Sequence, residues 1–373
     1  MTIAFMISGG GCYKSYFAPR VLNANWHMFL QPPMEITIDQ LAPQNVSATI
    51  ANDVGIILIG RNEGARLEAS LASIRRFAPN TVYVDSGSTD ESVEHARRSG
   101  VKVVELSMEV PFTAARARNA GYAALKAAGI GFDFVQFVDG DCVIDPDWIV
   151  TSRNFLLAHP DIAVACGRRR EKFPLASLYN RLCDWEWNTP LGKAAASGGD
   201  AMVRVSAFES VGGFREDVIA AEDDEFCVRL GKAGWGVWRL DAEMTLHDAN
   251  MTRFGQWWRR AERAGHGFAQ VGALHPAHFL AQRRRMWLWG AIFPLVAVLG
   301  LFLHPWITLG VALLYLFSCA RSTLRFLRQG FPPREALLAG LLLTLSKFCN
   351  LKGALTYWVR RARGRANTII EYK

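Results

Sequence analysis

At 373 residues, half of them hydrophobic, the chain has material for one large domain or two, which excludes a disordered polypeptide. Its net charge of +8 is uneven: residues 252–373 hold 18 Lys and Arg against 3 Asp and Glu, leaving the first 251 residues at −7. The basic residues alternate with apolar blocks such as Trp287–Leu303 instead of covering one face, so membrane lipid is the expected partner and nucleic acid is not.

Residues 1–52 carry no clear period, and no function is assigned to this extension. Its first 33 residues do not read as a secretory signal, because no Lys or Arg precedes the apolar run and Gly9-Gly10-Gly11 interrupts it. Seven cysteines without a C-x-x-C or metal-ligand spacing read as reduced core cysteines of a protein working in the cytoplasm.

From Val54 onward short apolar runs alternate with amphipathic stretches, the pattern of a mostly parallel sheet flanked by helices. Strands are expected at Val54–Ile59, Val82–Val84, Val101–Leu106, Phe134–Val138 and Ile162–Cys166. Leu67, Leu71, Ile74 and Phe77 recur at helical spacing, and Ser92–Arg98 is a short helix candidate. Ligands of such sheets sit beyond the carboxyl ends of the strands, which here carry polar residues.

Arg61-Asn62-Glu63-Gly64 follows the first strand, and Asp85-Ser86-Gly87-Ser88-Thr89-Asp90 the second. A carboxylate there can accept hydrogen bonds from a ribose or base, while Ser88-x-x-Glu91 also reads as a capping box. Phe134–Val138 runs into Asp139-Gly140-Asp141, two carboxylates able to hold a hard divalent cation across a tight glycine turn. Glu222-Asp223-Asp224-Glu225 opens a further helix, where carboxylates suit the macrodipole and could supply a general base. His247 could complete an Asp/Asp site, Mn²⁺ in particular, or serve a structural role.

Taken in order, these segments resemble the family 2 glycosyltransferases of GT-A fold. The resemblance rests on Ile59-Gly60-Arg61-Asn62-Glu63, Asp85 to Asp90, Ala117-Arg118-Asn119-Ala120-Gly121, Asp139-Gly140-Asp141, Gly198-Gly199-Asp200, Glu222 to Glu225 with Arg229, and His247. It covers about Asp53 to Gly267 and implies an α/β GT-A catalytic domain over 53–251. By resemblance, Arg61, Glu63, Asp85, Arg118, Asp139, Gly199 and Asp200 bind the nucleotide-sugar, with Asp85 on the uracil or ribose. Asp141, Asp139 and His247 hold Mg²⁺ or Mn²⁺ at the diphosphate; Asp223 is the base and Glu222 orients it or the acceptor.

Two departures stand out. Ser86 occupies a position where many members carry a second aspartate, and Gln256-Trp257-Trp258-Arg259-Arg260 has Arg260 where processive synthases place tryptophan. The second argues against processive polymerisation. Trp185, Trp187, Arg229, Gln256 and Arg259 are candidates for the acceptor side, together with the Arg168-Arg169-Arg170 cluster.

Phe254, Trp257, Trp258 and Ala261 share a helical face, which predicts an amphipathic helix lying at a membrane interface within a 252–282 linker. Residues 283–373 then form a helical membrane region: 286–303 and 305–320 are each just long enough to cross, and pair as a hairpin turning at His304-Pro305. Arg283 to Arg285 before it, and Arg321, Arg325 and Arg328 after it, put both flanks in the cytoplasm. Residues 336–359, interrupted by Lys347 and Lys352, are expected to be interfacial or re-entrant.

The sequence therefore predicts an inverting enzyme of the inner membrane, its catalytic domain facing the cytoplasm. It would move one sugar, from a UDP-sugar in the first instance, to a lipid-linked or glycan acceptor in exopolysaccharide or envelope-glycan assembly, alongside other glycan-assembly proteins. The rivals are a processive synthase and a non-catalytic scaffold that binds nucleotide-sugar.

Overall fold

The computed structural model describes residues 53–129, 131–365 and 368–371. The 1–52 extension and Cys12 lie outside these residues. The first half alternates as expected: β1 (Val54–Gly60), α1 (Ala65–Ser73), β2 (Thr81–Asp85), α2 (Ser92–Arg98), β3 (Lys102–Glu105), α3 (Ala114–Ala127) and β4 (Phe134–Asp139). Strand β1 is apolar on both faces and buried nearly throughout, as a central strand covered on two sides must be.

Then come β5 (Cys142–Ile144), α4 (Trp148–Ala158), β6 (Ile162–Glu171), α5 (Leu178–Trp187), β7 (Gly192–Lys193), β8 (Ala201–Arg204), α6 (Val205–Ser210), α7 (Glu222–Lys232) and β9 (Gly236–His247). The sheet order is β3-β2-β1-β4-β8-β6-β9-β5, with β7 on β9. β1 to β4 pair in parallel, and so do β6 and β9, but β8 runs antiparallel to β4 and β6, and β5 and β7 antiparallel to β9. The sheet is thus mixed, parallel in its longer pairings as expected and antiparallel where the short strands β5, β7 and β8 join it. Antiparallel neighbours need no crossover helix, so these short strands left no helical spacer in the sequence. The expected capping box is absent too: α2 starts at Ser92, whose N–H donates to Asp90 Oδ1 at 3.0 Å.

Five further helices follow: α8 (Phe254–Leu274), α9 (Leu280–Trp287), α10 (Phe293–Leu303), α11 (Pro305–Arg328) and α12 (Pro333–Ala362), with a π-helical turn Leu288–Ile292 joining α9 to α10. Helix α8 does not lie free at a surface. Thirteen of its residues are buried, from Trp257 to Gly272, between the catalytic half and α12. A side chain at Gly265 would collide with the Asn350 backbone and one at Gly353 with the Glu262 carbonyl, so small residues let the two backbones meet. Of the apolar stripe, Trp257 and Ala261 face protein, whereas Phe254 is exposed and Trp258 half-buried.

Leu280–Leu303, Pro305–Arg328 and Pro333–Ala362 are each long and apolar enough to cross a membrane. The first two form the expected hairpin, with Thr308 donating to the Ala297 carbonyl at 2.7 Å and the Tyr315 hydroxyl donating to the Trp289 carbonyl. Phe302 is 83% and Trp306 70% exposed near its tip, apolar surface that suits lipid and not water. Helix α12 is an unbroken 30 residues, without the chain reversal a re-entrant segment requires.

Candidate active site

The carboxyl ends of β1 and β4 open on a cleft of about 180 Å³ lined by Arg61, Glu63, Ser86, Arg118, Asp139, Asp141 and Glu222. At its centre Arg118, 1% exposed, donates from Nη1 to Glu222 Oε1 at 2.8 Å and from Nη2 to Asp139 Oδ1 at 2.9 Å. Arg169 Nη2 donates to Asp139 Oδ2 at 3.1 Å. Burial alone would raise the Asp139 pKa, yet the two guanidiniums hold it well below the usual carboxylate range. Glu222 is also held low: burial opposes ionisation, while nearby positive charge, Arg118 and Arg263 included, favours it. Gly199 permits this packing, because a Cβ there would lie 2.8 Å from both Arg118 Nη2 and Asp139 Oδ2.

The two aspartates of Asp139-Gly140-Asp141 have different partners. Asp139 faces arginines, whereas Asp141 Oδ2 lies 2.9 Å from His247 Nε2, both residues fully buried. Strand pairing produces this contact, since β5 runs beside β9 with Cys142 opposite His247. His247 Nδ1 is buried with no hydrogen-bond partner among the described residues, and Trp187 lies over the ring at 4.6 Å between centroids. Burial, reinforced by Arg169, keeps the imidazole neutral, the form that ligates metals. A 2.9 Å spacing suits two adjacent ligands at about 2.1 Å from one ion, and an oxygen with an imidazole suits Mg²⁺ or Mn²⁺. Cys142 lies beside both groups, but burial pushes its thiol pKa well up, so it is a protonated, poor ligand.

Several expected residues are placed elsewhere. Asp85 holds its own loop: Oδ2 accepts from the Gly87 and Ser88 N–H groups at 2.9 and 2.8 Å, and Oδ1 from the Ser88 and Tyr83 hydroxyls. Its carboxylate is engaged before any nucleotide arrives. Asp200 is fully buried beneath the cleft, accepting from the Asp139 N–H at 3.0 Å and the Thr245 hydroxyl at 2.8 Å, a support for β4 and not a lining group. Asp223 is buried in the first turn of α7, next to Glu222. Ala221 before them sits at φ 61°, a left-handed conformation costly for alanine.

On the acceptor side, Trp187 packs on His247, but Trp185 packs against Phe326 of α11 at 4.9 Å. Arg229 is tied to Glu225 at 2.8 Å, Gln256 caps the start of α8 by accepting from the Arg253 N–H at 2.9 Å, and Arg259 is exposed. Sequence reasoning assigned no role here to Arg263 or Phe112, which also line the cleft, nor to Ile369 and Glu371. Glu371 Oε1 accepts from Arg61 Nη1 at 2.7 Å, and Phe112 lies 4.6 Å from the same guanidinium. No local pattern announces a contact spanning 310 residues.

A curled mixed sheet with acidic strand ends around a cleft, followed by apolar helices, defines a GT-A glycosyltransferase fold joined to a candidate membrane anchor. A mannosyltransferase from Pyrobaculum calidifontis, solved in complex with GDP-Man and Mn²⁺, shares this fold with a TM-score of 0.51 at 19% identity, over 82% of this chain and 86% of that one. Residues 56–209 match the model for Glycosyl transferase family 2, and residues 185–349 that for Glycosyl transferase family group 2. Over these two stretches the chain is similar to the family 2 glycosyltransferases. It is similar to the succinoglycan biosynthesis protein ExoA of Rhizobium meliloti (strain 1021), 28% identical over 205 residues. It is also similar to a pre-mycofactocin glycosyltransferase of Mycobacterium tuberculosis (strain CDC 1551 / Oshkosh), 27% identical over 250 residues. These matches cover 50% and 63% of this chain, and span 60% and 50% of the two relatives.

Proposed function

We propose that the chain moves one sugar from a nucleotide-sugar, a UDP-sugar first, to a membrane-associated acceptor, lipid-linked or glycan, with inversion at the anomeric carbon. The observation that carries this reading is the gathering of Arg61, Arg118, Asp139, Asp141 and Glu222 on one cleft at the strand ends. The relative that acts in succinoglycan biosynthesis supports a place in exopolysaccharide or envelope-glycan assembly. Arginines flanking the hairpin support a catalytic half on the cytoplasmic side of the inner membrane.

Asp141 and His247 would hold Mg²⁺ or Mn²⁺. A divalent ion held by them would supply positive charge for the departing nucleoside diphosphate. Arg61 and Arg263 line the cleft as cations facing the donor, while Arg118 fixes Asp139 and Glu222 relative to each other. Asp223 takes the proton of the acceptor hydroxyl, which attacks the anomeric carbon opposite the leaving group. Glu222, kept ionised, orients that hydroxyl, and Trp187 offers an aromatic face beside the metal pair.

Processive polymerisation is disfavoured because Arg260 is buried against Glu186 at 2.7 Å and presents nothing to a growing glycan. The test is release of nucleoside diphosphate from a panel of nucleotide-sugars, with membrane lipid extract as acceptor. Asp223→Asn and Asp141→Ala should each lower transfer by orders of magnitude; near wild-type turnover in either would sink the assignment. Metal-dependent donor hydrolysis without acceptor would dispose of the non-catalytic scaffold.

A further inference from the structure

A second cavity, about 420 Å³, opens at the base of the hairpin and owes nothing to the donor cleft. Three elements wall it. Helix α9 contributes Arg285, α11 contributes Arg321, Arg325 and Arg328, and α12 contributes Lys347. The three arginines of α11 follow each other by four and three residues, which puts them on one face of the helix. Among the described residues no carboxylate lines the cavity. In the catalytic half, buried Arg118 and Arg169 are each paired with an acid. Arg285, Arg321, Arg325 and Arg328 have no carboxylate partner among the described residues. The four arginines repel one another, and an anion brought from outside would relieve that repulsion.

The position of the cavity identifies the carrier of the anion. Thr308 bonds to Ala297 and Tyr315 to Trp289, so the register of the hairpin brings Arg285 level with the end of α11 where Arg321 begins. On one side of that level the hairpin exposes Leu295, Val298, Leu313 and Leu316, and on the other the arginines begin. This is the boundary between hydrocarbon and headgroup. We propose that this cavity binds the phosphate of a lipid, gripped by the α11 arginines while its chains lie along the apolar hairpin. A bilayer phospholipid and a polyprenyl phosphate offer the same chemistry. Guanidinium forks suit it because they meet phosphate oxygens two at a time.

The inference does not depend on glycosyl transfer, and its test uses no donor. The full chain in neutral detergent is titrated separately with phosphatidylglycerol, a polyprenyl monophosphate, phosphatidylcholine and inorganic phosphate. Bound lipid is counted by native mass spectrometry and its stabilisation read as a thermal shift. At least one phosphate-bearing anionic lipid should bind tenfold tighter than phosphatidylcholine, and which one does so identifies the carrier. Arg321 and Arg328 are exposed, so Arg321→Gln with Arg328→Gln empties no core. That double variant should lose the preference by tenfold or more, while removing equal charge at Arg97 and Arg98 should not. Arg325→Lys, which keeps the charge but not the fork, should fall between. Equal lipid retention by the double variant and wild type, no preference over phosphatidylcholine, or binding of inorganic phosphate and neither anionic lipid would overturn the proposal.

Discussion

Gly199→Ala is the sharpest probe of the charge network in the cleft. The added carbon would stand 2.8 Å from Arg118 Nη2 and 2.8 Å from Asp139 Oδ2, where ordinary contact begins at 3.4 Å, so each group must yield about 0.6 Å. Neither has room. Arg118 is 1% exposed and held from behind by Glu222 at 2.8 Å, and Asp139 Oδ2 is held by Arg169 at 3.1 Å. The added carbon pushes on both partners of the 2.9 Å bond between Arg118 and Asp139, which should lengthen. Overpacking of this kind costs about 1–3 kcal/mol, and 1.4 kcal/mol is about tenfold in an equilibrium constant. We expect donor affinity to fall about tenfold, measured as nucleoside diphosphate release against donor concentration. Gly198→Ala is the control: its φ of 81° makes alanine costly, by about 1–2 kcal/mol, but no atom lies within 4 Å of the new carbon. It should lower the unfolding midpoint and leave donor affinity alone. Wild-type donor kinetics in Gly199→Ala, or equal kinetic damage in both variants, would refute the reasoning.

Other outcomes follow from the same structure. Glu371→Ala should increase donor affinity two- to fivefold, because a cleft of about 180 Å³ is smaller than usual ligand sites and an exposed ion pair resists displacement by at most about 1 kcal/mol; unchanged donor kinetics would mean the tail does not compete. Arg169→Gln should destabilise by about 3–5 kcal/mol in denaturant unfolding, whereas Arg170→Gln, whose pair with Asp184 is half exposed, should cost under about 1 kcal/mol; similar losses would contradict the assigned burial. Burial raises the Glu171 pKa to about 7 from 4.5, so the folded state binds the extra proton between those values. Stability is then fully present below pH 4.5 and declines by up to about 3 kcal/mol as pH rises through 7. Glu171→Gln should remove that decline, and parallel unfolding curves for the two proteins from pH 5 to 8 would exclude it.

The strands that carry the cleft were legible because β1, β2 and β4 are buried on both faces and must be continuously apolar. β9 was not: Trp238, Arg239, Asp241 and Glu243 make it look like a loop, although only four of its twelve residues are exposed. Arg169 had a readable signal in the strand period. Arg168, Arg169 and Arg170 alternate outward, inward and outward, which puts the middle one beside Asp139. For α8 an apolar stripe cannot say whether lipid or protein covers it. Gly265 and Gly353, which let backbones meet, were the residues that could have decided. The separation of Asp139 from Asp141 depends on which strand lies beside each, information that a D-x-D motif does not contain.

The backbone contact between α8 and α12 makes one stiff beam of the donor cleft and the membrane region. Arg263, on the cleft, and Gly265, against Asn350, are half a turn apart on the same helix. Among the described residues no loop interrupts α8 between them, so in a bilayer around the hairpin the height of the cleft would be set by a helix contact and not by a tether. If the acceptor is held in that bilayer, as proposed above, it would meet the donor at one fixed depth, and the length of its headgroup would act as a ruler.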